Sequence, residues 1–273
     1  MKLVIDHVCC GYGKRQVVRD FCATVSSGQV LCLLGPNGVG KTTLFKTVLG
    51  FLKPQSGHVY VDDVDIHTLP RQEFAKLISY VPQAHTPLFP FKVIDVVLMG
   101  RTVHLGQFGS PGKEDRRIAE EALEQLDVSF LRDRTYTEIS GGERQMVLIA
   151  RALTQKTHFL MMDEPTSNLD FGNQVKVLQC VSDLAKQTGL GVIMTTHFPD
   201  HVFQCDGTVA LMKSGESFVT GDAHEIITPQ NMHDAYGIDV RVLHNTGEEG
   251  QITACVPLIH KPHDSGQTSA DVE

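Results

Sequence analysis

Short apolar runs alternate with stretches of helical periodicity along most of the chain. Three runs, Val30–Leu34, Phe159–Met162 and residues 191–195, are apolar at nearly every position and rich in Val, Leu, Ile and Met. Strands buried on both faces have this pattern, and helices are the usual connections between them when the strands are parallel. The pattern predicts an α/β protein with a mostly parallel sheet covered by helices.

The pattern becomes mostly helical between Gln83 and Ser140. Residues 113–126 are polar and charged, with Ile118, Ala122 and Leu123 forming an apolar stripe of helical spacing. This stretch predicts an inserted helical subdomain. Further on, the chain predicts short helices at 223–227 and 229–236, a strand at 240–243, and a frayed polar tail at 263–273.

Composition and charge exclude several classes of protein. With 273 residues and 41% apolar content, the chain is sufficient for one large core with an appendage. The net charge of −8 disfavours nucleic acid as a partner. No apolar run approaches the roughly 18 residues of a membrane span, and an early acidic residue argues against a signal peptide. The seven scattered cysteines lack CxxC spacing and predict reduced packing residues in a cytosolic protein.

A glycine-rich segment between the first buried strand and a predicted helix at 42–49 fits the phosphate-loop pattern. It reads Gly35, Pro36, Asn37, Gly38, Val39, Gly40, Lys41, Thr42. Glycines let backbone N–H groups surround phosphates, and the helix N-terminus adds partial positive charge. We expect Lys41 to reach the β and γ phosphates and Thr42 to offer its hydroxyl to Mg²⁺. The alternative is a glycine-rich turn that arose by chance.

Two adjacent carboxylates follow the second buried strand. Asp163 is predicted to hold hydrated Mg²⁺, and Glu164 to polarise the attacking water as general base. A solvated turn would show the same pair of residues. The preceding phosphate loop makes the catalytic interpretation the better one.

A second glycine-containing element opens an amphipathic helix that continues to Leu153. It reads Ser140, Gly141, Gly142, Glu143, Arg144. Ser140 and Glu143 have capping-box spacing, so an ordinary capped helix is a real alternative. Two glycines in a first turn nevertheless weaken a helix, which favours close approach to an anion.

Two histidine pairs have spacings that could hold a metal ion. His197 and His201 lie four residues apart, but Pro199 predicts a helix that begins after His197 and separates them. His260 and His263 lie in a segment that is better explained as a solvated tail. We therefore expect no metal at either pair.

Taken together, these motifs resemble the ABC ATPase family in kind and in order. The segment 35–42 resembles Walker A, Phe159 to Asp163 resembles Walker B, and Ser140 to Glu143 resembles the signature motif. Further similarities are Gln83 to the Q-loop glutamine, residues 167–170 to the D-loop, His197 to the switch histidine and Tyr12 to the aromatic residue that stacks on adenine. The departures are Glu143 in place of the commoner glutamine and Asn168 in place of alanine.

The resemblance implies a P-loop NTPase core with an antiparallel β subdomain and the helical insert at about 84–156. The ATPase domain would be 1–242, and 243–273 a partly disordered extension. Glu164, His197 and Gln83 would be catalytic, while Thr42, Gln83 and Asp163 would hold Mg²⁺. ATP would contact Tyr12, residues 35–43 including Thr43, and Ser140, Gly141, Gly142 and Glu143 of a second copy. The unit would be a homodimer on an integral membrane permease, at the cytoplasmic face of the membrane.

The stretch 93–101, which ends in Met99-Gly100-Arg101, resembles the importers of iron-siderophore, haem and vitamin B12, whose relatives carry molybdate or tungstate. Lys113 to Asp115, and residues 228–231 leading to Tyr236-Gly237, extend this resemblance. An extracytoplasmic substrate-binding protein would then serve the system. Packing inside a helical subdomain would also explain the valines of this stretch. An exporter ATPase, or a soluble ABC protein acting on nucleic acid, are the other functions considered.

Overall fold

The computed structural model describes residues 1–83, 89–106, 109–213, 218–247 and 250–258. Its strands are β1 (Lys2–Tyr12), β2 (Arg15–Ser26), β3 (Val30–Leu34), β4 (Ser56–Val61), β5 (Val64–Asp65), β6 (Ile78–Val81), β7 (Phe159–Met162), β8 (Gly191–Thr196), β9 (Thr208–Met212), β10 (Phe218–Asp222), β11 (Val240–Gly247) and β12 (Gly250–Pro257). Its α-helices are α1 (Lys41–Val48), α2 (Arg71–Leu77), α3 (Val93–Leu98), α4 (Lys113–Gln125), α5 (Gly141–Leu153), α6 (Phe171–Thr188), α7 (Pro199–Gln204), α8 (Ala223–Ile226) and α9 (Pro229–Tyr236).

The central sheet has the strand order β10-β9-β3-β8-β7-β6, and every pair except β10 with β9 is parallel. The prediction of a mostly parallel sheet is confirmed, and β8 is one residue longer than predicted. Because the strands are parallel, their carboxyl ends meet at one edge. The register pairs Val81 with Met162, Met162 with Met194 and Leu34 with Thr196. The segments after β3, β6, β7 and β8 therefore leave the sheet side by side.

The central strands are apolar on both faces because a separate core covers each face. Along β3, Leu31 and Leu33 pack in one core, while Cys32 and Leu34 pack in the other. The first core lies toward the second sheet, which has the order β2-β1-β4-β5 and is antiparallel. The second core lies toward the longer helices. The central sheet is therefore covered on one face by the antiparallel sheet and on the other face by helices.

Helices α3 and α4 lie in the stretch from Gln83 to Ser140 that was predicted as helical, and α4 covers 113–125. Helix α5 follows, where the amphipathic helix after Ser140 was predicted. Val93, Val96 and Val97 are buried on α3, so packing inside this region accounts for those valines. After α3, a 3-10 helix (Met99–His104) carries the buried side chain of Arg101. Its Nε donates to Asp115 Oδ1 at 2.8 Å and its Nη1 to the Thr154 carbonyl at 2.7 Å. Arg101 thus connects its 3-10 helix to the start of α4 and to the end of α5.

Near the end of the described residues, β11 and β12 form a hairpin that was not predicted from the sequence. The β11 strand was predicted only to residue 243, but its pairing with β12 continues through Gly247. The expected boundary between the ATPase domain and the extension, at 242–243, therefore falls inside β11. The hairpin contacts α7, where the Cys255 N–H donates to Asp200 Oδ1 at 2.7 Å. The residues predicted as a frayed tail, His260 and His263 included, lie outside the described residues.

Within those described ranges, the structure contains no helix with both the length and the apolar character needed to cross a bilayer.

Candidate active site

The loop between β3 and α1 has a shape that requires glycine at two positions. Gly40 has φ 116°, and a Cβ there would lie 2.7 Å from Cγ2 of Val18. Gly35 has φ 158°, with a Cβ 2.7 Å from the Met212 carbonyl. The antiparallel sheet and the central sheet therefore both press against this loop. Any larger residue at either position would push the backbone away from its path.

Lys41 begins α1 and lies folded over the loop, 5% exposed. Its ammonium group donates to the Gly35 carbonyl at 2.5 Å and to the Pro36 carbonyl at 3.0 Å. Burial lowers the pKa of Lys41, while the charges of Glu164 and Asp163 act in the opposite direction. The lysine and the two carboxylates predicted from the sequence therefore share one site.

Asp163 and Glu164, directly after β7, are tied to β8 by one hydroxyl. Asp163 is 7% exposed, and its Oδ1 accepts from Thr195 Oγ1 at 2.7 Å. The same oxygen of Thr195 accepts the Glu164 N–H at 2.8 Å. Glu164 has φ 43°, a left-handed conformation that is uncommon for a residue with a side chain. Burial raises the pKa of Asp163, with the Glu164 charge adding to the shift.

The Glu164 carboxylate meets two of the residues predicted to be catalytic. Gln83, just beyond β6, donates from Nε2 to Glu164 Oε2 at 2.8 Å. His197, just beyond β8, has its Nδ1 3.7 Å from Glu164 Oε1. That Nδ1 is buried and has no hydrogen-bond partner among the described residues. The ends of β6, β7 and β8 thus bring Gln83, Glu164 and His197 together.

A tyrosine from the C-terminal region supports this group. Tyr236 belongs to the tail that resembles the metal-chelate importers, and no role in the site was predicted for it. The Tyr236 hydroxyl, at the end of α9, donates to the His197 carbonyl at 3.2 Å, and the Gly35 backbone lies close enough to act on the pKa of the same phenol. Burial raises the pKa of Tyr236 well above its ordinary value. The phenol therefore joins the glycine-rich loop to the histidine loop.

His201, on α7, is buried beneath the histidine loop. Its Nδ1 lies 2.9 Å from Thr196 Oγ1 and 3.4 Å from Thr166 Oγ1. Burial, with the nearby His197, lowers the pKa of His201 to about 4. Two threonine hydroxyls therefore lie within hydrogen-bond distance of one ring nitrogen of His201. Pro199 begins α7 as predicted and separates the two histidines.

The second glycine element has the capping box that its spacing predicted. The Glu143 N–H donates to Ser140 Oγ at 3.2 Å, and the Ser140 N–H donates to Glu143 Oε2 at 2.7 Å. These bonds from Ser140 lower the pKa of Glu143. Gly141 is exposed and Gly142 is buried. The helix is therefore capped in the way that the alternative interpretation predicted.

Gly142 is required by a close neighbour on α6. A Cβ at this position would lie 2.4 Å from Cγ of Asn173. Asp170 holds Asn173 in place, since its Oδ2 accepts from Asn173 Nδ2 at 2.7 Å. A groove of about 820 Å³ beside this contact has Ser140, Gly142 and Asn173 in its wall. Asn168, which departs from the usual alanine, has φ 61°, a conformation that asparagine tolerates well.

The remaining predicted residues lie around the loop. Tyr12 is 53% exposed at the end of β1, on the hairpin whose Val18 touches Gly40. Thr42 and Asn37 are exposed, whereas Thr43 is buried with α1. Thr42 is therefore accessible beside Lys41.

Comparison with known proteins agrees with this geometry. The family model described as ABC transporter matches residues 18–167, more than half of the chain. This chain belongs to the ABC transporter family.

Among the relatives of this ABC protein, the iron(3+)-hydroxamate import ATP-binding protein FhuC of Bacillus subtilis is 34% identical over 85% of this chain and 87% of its own. The molybdate import ATP-binding protein MolC of Haemophilus influenzae is 34% identical over 86% of this chain and 87% of its own. A solved structure assigned to a metal-chelate type ABC transporter, in an inward-facing conformation, superposes with a TM-score of 0.84 at 31% identity. The superposition covers 94% of this chain and 97% of the chain in that structure.

These findings confirm three predictions for this ABC protein: the family, the α/β fold class and membership among its ATPases. They confirm the resemblance to metal-chelate import subunits as well.

Proposed function

We propose that this chain is the ATP-hydrolysing subunit of an ABC importer for a metal chelate, such as an iron-siderophore, haem or cobalamin, or for a related oxyanion. The observation that carries the ATPase part is the meeting of Gln83, Glu164 and His197 at the sheet edge that also bears Lys41 and Asp163. The names of similar proteins support the transport class.

Each group in the site has a role that its contacts support. Lys41 and the loop N–H groups, 35–43, would hold the phosphates of ATP, with Tyr12 against the adenine. Glu164 would accept the proton of the attacking water, because Gln83 orients its carboxylate through a hydrogen bond and His197 lies 3.7 Å from its other oxygen. His197 would also face the γ-phosphate from the end of β8.

The donor set fits a hard divalent cation. Thr42, Asp163 and Gln83 offer a hydroxyl, a carboxylate and an amide oxygen, which are the ligands that Mg²⁺ prefers. Gln83 donates to Glu164 through its nitrogen, so its amide oxygen remains available to a metal. These three residues would hold Mg²⁺, which would neutralise phosphate charge when bound with ATP.

Substitution of Glu164→Gln tests the assignment of the general base. We expect purified Glu164→Gln to bind Mg-ATP with near wild-type affinity and to turn it over about 10²–10⁴-fold more slowly, because a neutral amide cannot take the proton. Fluorescent-nucleotide binding and phosphate release measure the two quantities. Wild-type turnover in this variant would contradict the role of Glu164.

The functional unit would be a homodimer in which Ser140, Gly141, Gly142 and Glu143 of one copy face the phosphates bound by the other. Supporting this, Ser140 and Gly142 border an open groove. Light scattering of Glu164→Gln should show a dimer only with saturating Mg-ATP, since each site lacks its second half in the monomer. A monomer under all conditions would count against this arrangement.

As an importer subunit, the chain would sit on an integral membrane permease at the cytoplasmic face of the membrane, with an extracytoplasmic protein delivering substrate. The ATPase domain would be 1–242, with the helical insert at about 84–156 and an extension at 243–273. Deleting the gene should abolish uptake of one iron chelate, haem, corrinoid or oxyanion, measured with labelled substrates. Normal uptake of all of these, with failed export of a lipid or drug, would overturn the importer class.

A further inference from the structure

The pairing of the edge strand β2 with β1 contains an irregularity that precedes the glycine-rich loop in the chain. The β1–β2 ladder changes register between Ile5 and Val8 and again between Val8 and Cys10. Within it, His7 has φ 49° and Asp20, on the opposite strand, has φ 51°. Left-handed conformations are uncommon at non-glycine residues, and two of them facing each other require a local interaction that stabilises both.

The two left-handed residues contact each other through their side chains. His7 Nδ1 lies 2.6 Å from Asp20 Oδ1. A carboxylate can only accept, so Nδ1 carries the hydrogen and the neutral ring has its lone pair on Nε2. A metal-binding histidine is commonly prepared in this way, with a carboxylate on its other nitrogen.

The Nε2 side of the ring faces further ligand atoms. Asp6 Oδ1 lies 3.9 Å from Nε2. Cys22 lies beside the ring, and its sulfur accepts the His7 backbone N–H at 3.3 Å. One ligand atom from each of Asp6, His7 and Cys22 lies within 4.8 Å of the others. Ligands around a tetrahedral zinc ion are about 3.3–3.8 Å apart, which rotation of these side chains can reach.

We propose that Asp6, His7 and Cys22 form a binding site for a divalent transition metal of the zinc class, with Asp20 as the residue that orients His7. A thiolate, an imidazole and a carboxylate together suit Zn²⁺, whereas Mg²⁺ and Ca²⁺ select oxygen ligands. The site is therefore chemically distinct from the magnesium ligands proposed at the sheet edge. Three protein ligands leave the fourth position for water, and binding releases the Cys22 thiol proton to solvent.

The two register changes in the β1–β2 ladder explain how the three ligands can reach one ion. Cys9, a second sulfur at this edge, accepts the Asp20 N–H at 3.2 Å and holds the left-handed turn that aims Asp20 at His7. A regular ladder would place residues 6 and 7 on opposite faces, whereas the irregular one lets both reach the same ion. Metal binding would tie β1 to β2 a few residues before Tyr12.

Cobalt titration of the full chain without nucleotide tests this proposal, because Co²⁺ replaces Zn²⁺ and reports a thiolate ligand by its charge-transfer absorption. We expect one Co²⁺ per chain with that absorption, displaced by Zn²⁺. Cys22→Ser should abolish the absorption, and Asp20→Asn should weaken Zn²⁺ binding about 10–100-fold. His7→Asn keeps a residue that tolerates positive φ and should weaken binding at least as much.

Two control variants separate this site from other histidines. His233→Ala removes an exposed histidine that is paired with Asp239 at 2.9 Å, outside the cluster, and should leave binding unchanged. The double variant His260→Ala/His263→Ala should also bind normally. Thermal melting would verify that each variant is folded. The proposal is overturned if the absorption survives Cys22→Ser, or if binding is lost in either control variant.

Discussion

The carboxyl edge of the central sheet and the C-terminal region contribute to the same site in different ways. At the sheet edge, Gln83, Glu164 and His197 each follow a strand by one to two residues, so the sheet itself places them. The C-terminal region supplies no predicted reacting group, but its Tyr236 touches both the His197 and Gly35 backbones. The core thus carries the candidate reacting groups, while the end of the chain contacts the two loops beside them.

Among the residues that support the site, Thr195 should show the largest effect when changed to valine, because Thr195→Val removes the hydroxyl that joins Asp163 to the Glu164 backbone. We expect ATP turnover to fall about 10–100-fold, since Asp163 would lose the partner that orients it. The free energy of unfolding should fall by about 1–3 kcal/mol, because a buried acceptor loses its donor. Steady-state turnover and urea unfolding measure these effects. Thr208→Val, in β9 of the same sheet, is the matched control, and equal turnover in the two variants would contradict this role.

The pH dependence of stability should report on His201, which lies in α7 between the two regions. Its pKa of about 4 in the folded chain is below the ordinary 6.5, so the unfolded chain binds a proton first as pH falls. This contribution to stability is complete above about pH 6.5 and is lost toward pH 4. Between pH 7.5 and 5, wild type should lose about 2 kcal/mol more than His201→Asn, measured by urea unfolding. Parallel losses in the two proteins would exclude His201 as the source.

Tyr236→Phe should have the smallest effect, since it removes one hydroxyl and leaves the ring packed. We expect a loss of about 1 kcal/mol in unfolding free energy and a decrease in turnover of a few-fold, because the sheet still places the reacting groups. Tyr60→Phe, on β4, is the control. If Tyr236→Phe slowed turnover as much as Thr195→Val, the distinction between the two regions would not hold.

The sequence was most informative where function depends on backbone geometry. Buried runs such as Phe159–Met162 and the glycine positions were readable because their local pattern has few alternatives. Thr195 was missed as a supporting residue, since a hydroxyl in an apolar run looks like an ordinary strand position. Tyr236 lies 39 residues from His197, and nothing local connects them. Apolar residues alternate along β12 at Ile252, Ala254 and Val256, and this period of two is the pattern that indicates a strand. The assigned roles of the site residues stay predictions.

The position of β3 has a consequence for how the protein is made. Its neighbours are β8 and β9, and Val30 pairs with Val192, which is 162 residues later in the chain. Leu31 pairs in addition with Thr208. During synthesis at roughly 5–20 residues per second, this apolar strand waits on the order of ten seconds or more for either partner to leave the ribosome. The segment that leads into the nucleotide loop is therefore made long before its partner strands, so its apolar surface stays uncovered during that interval.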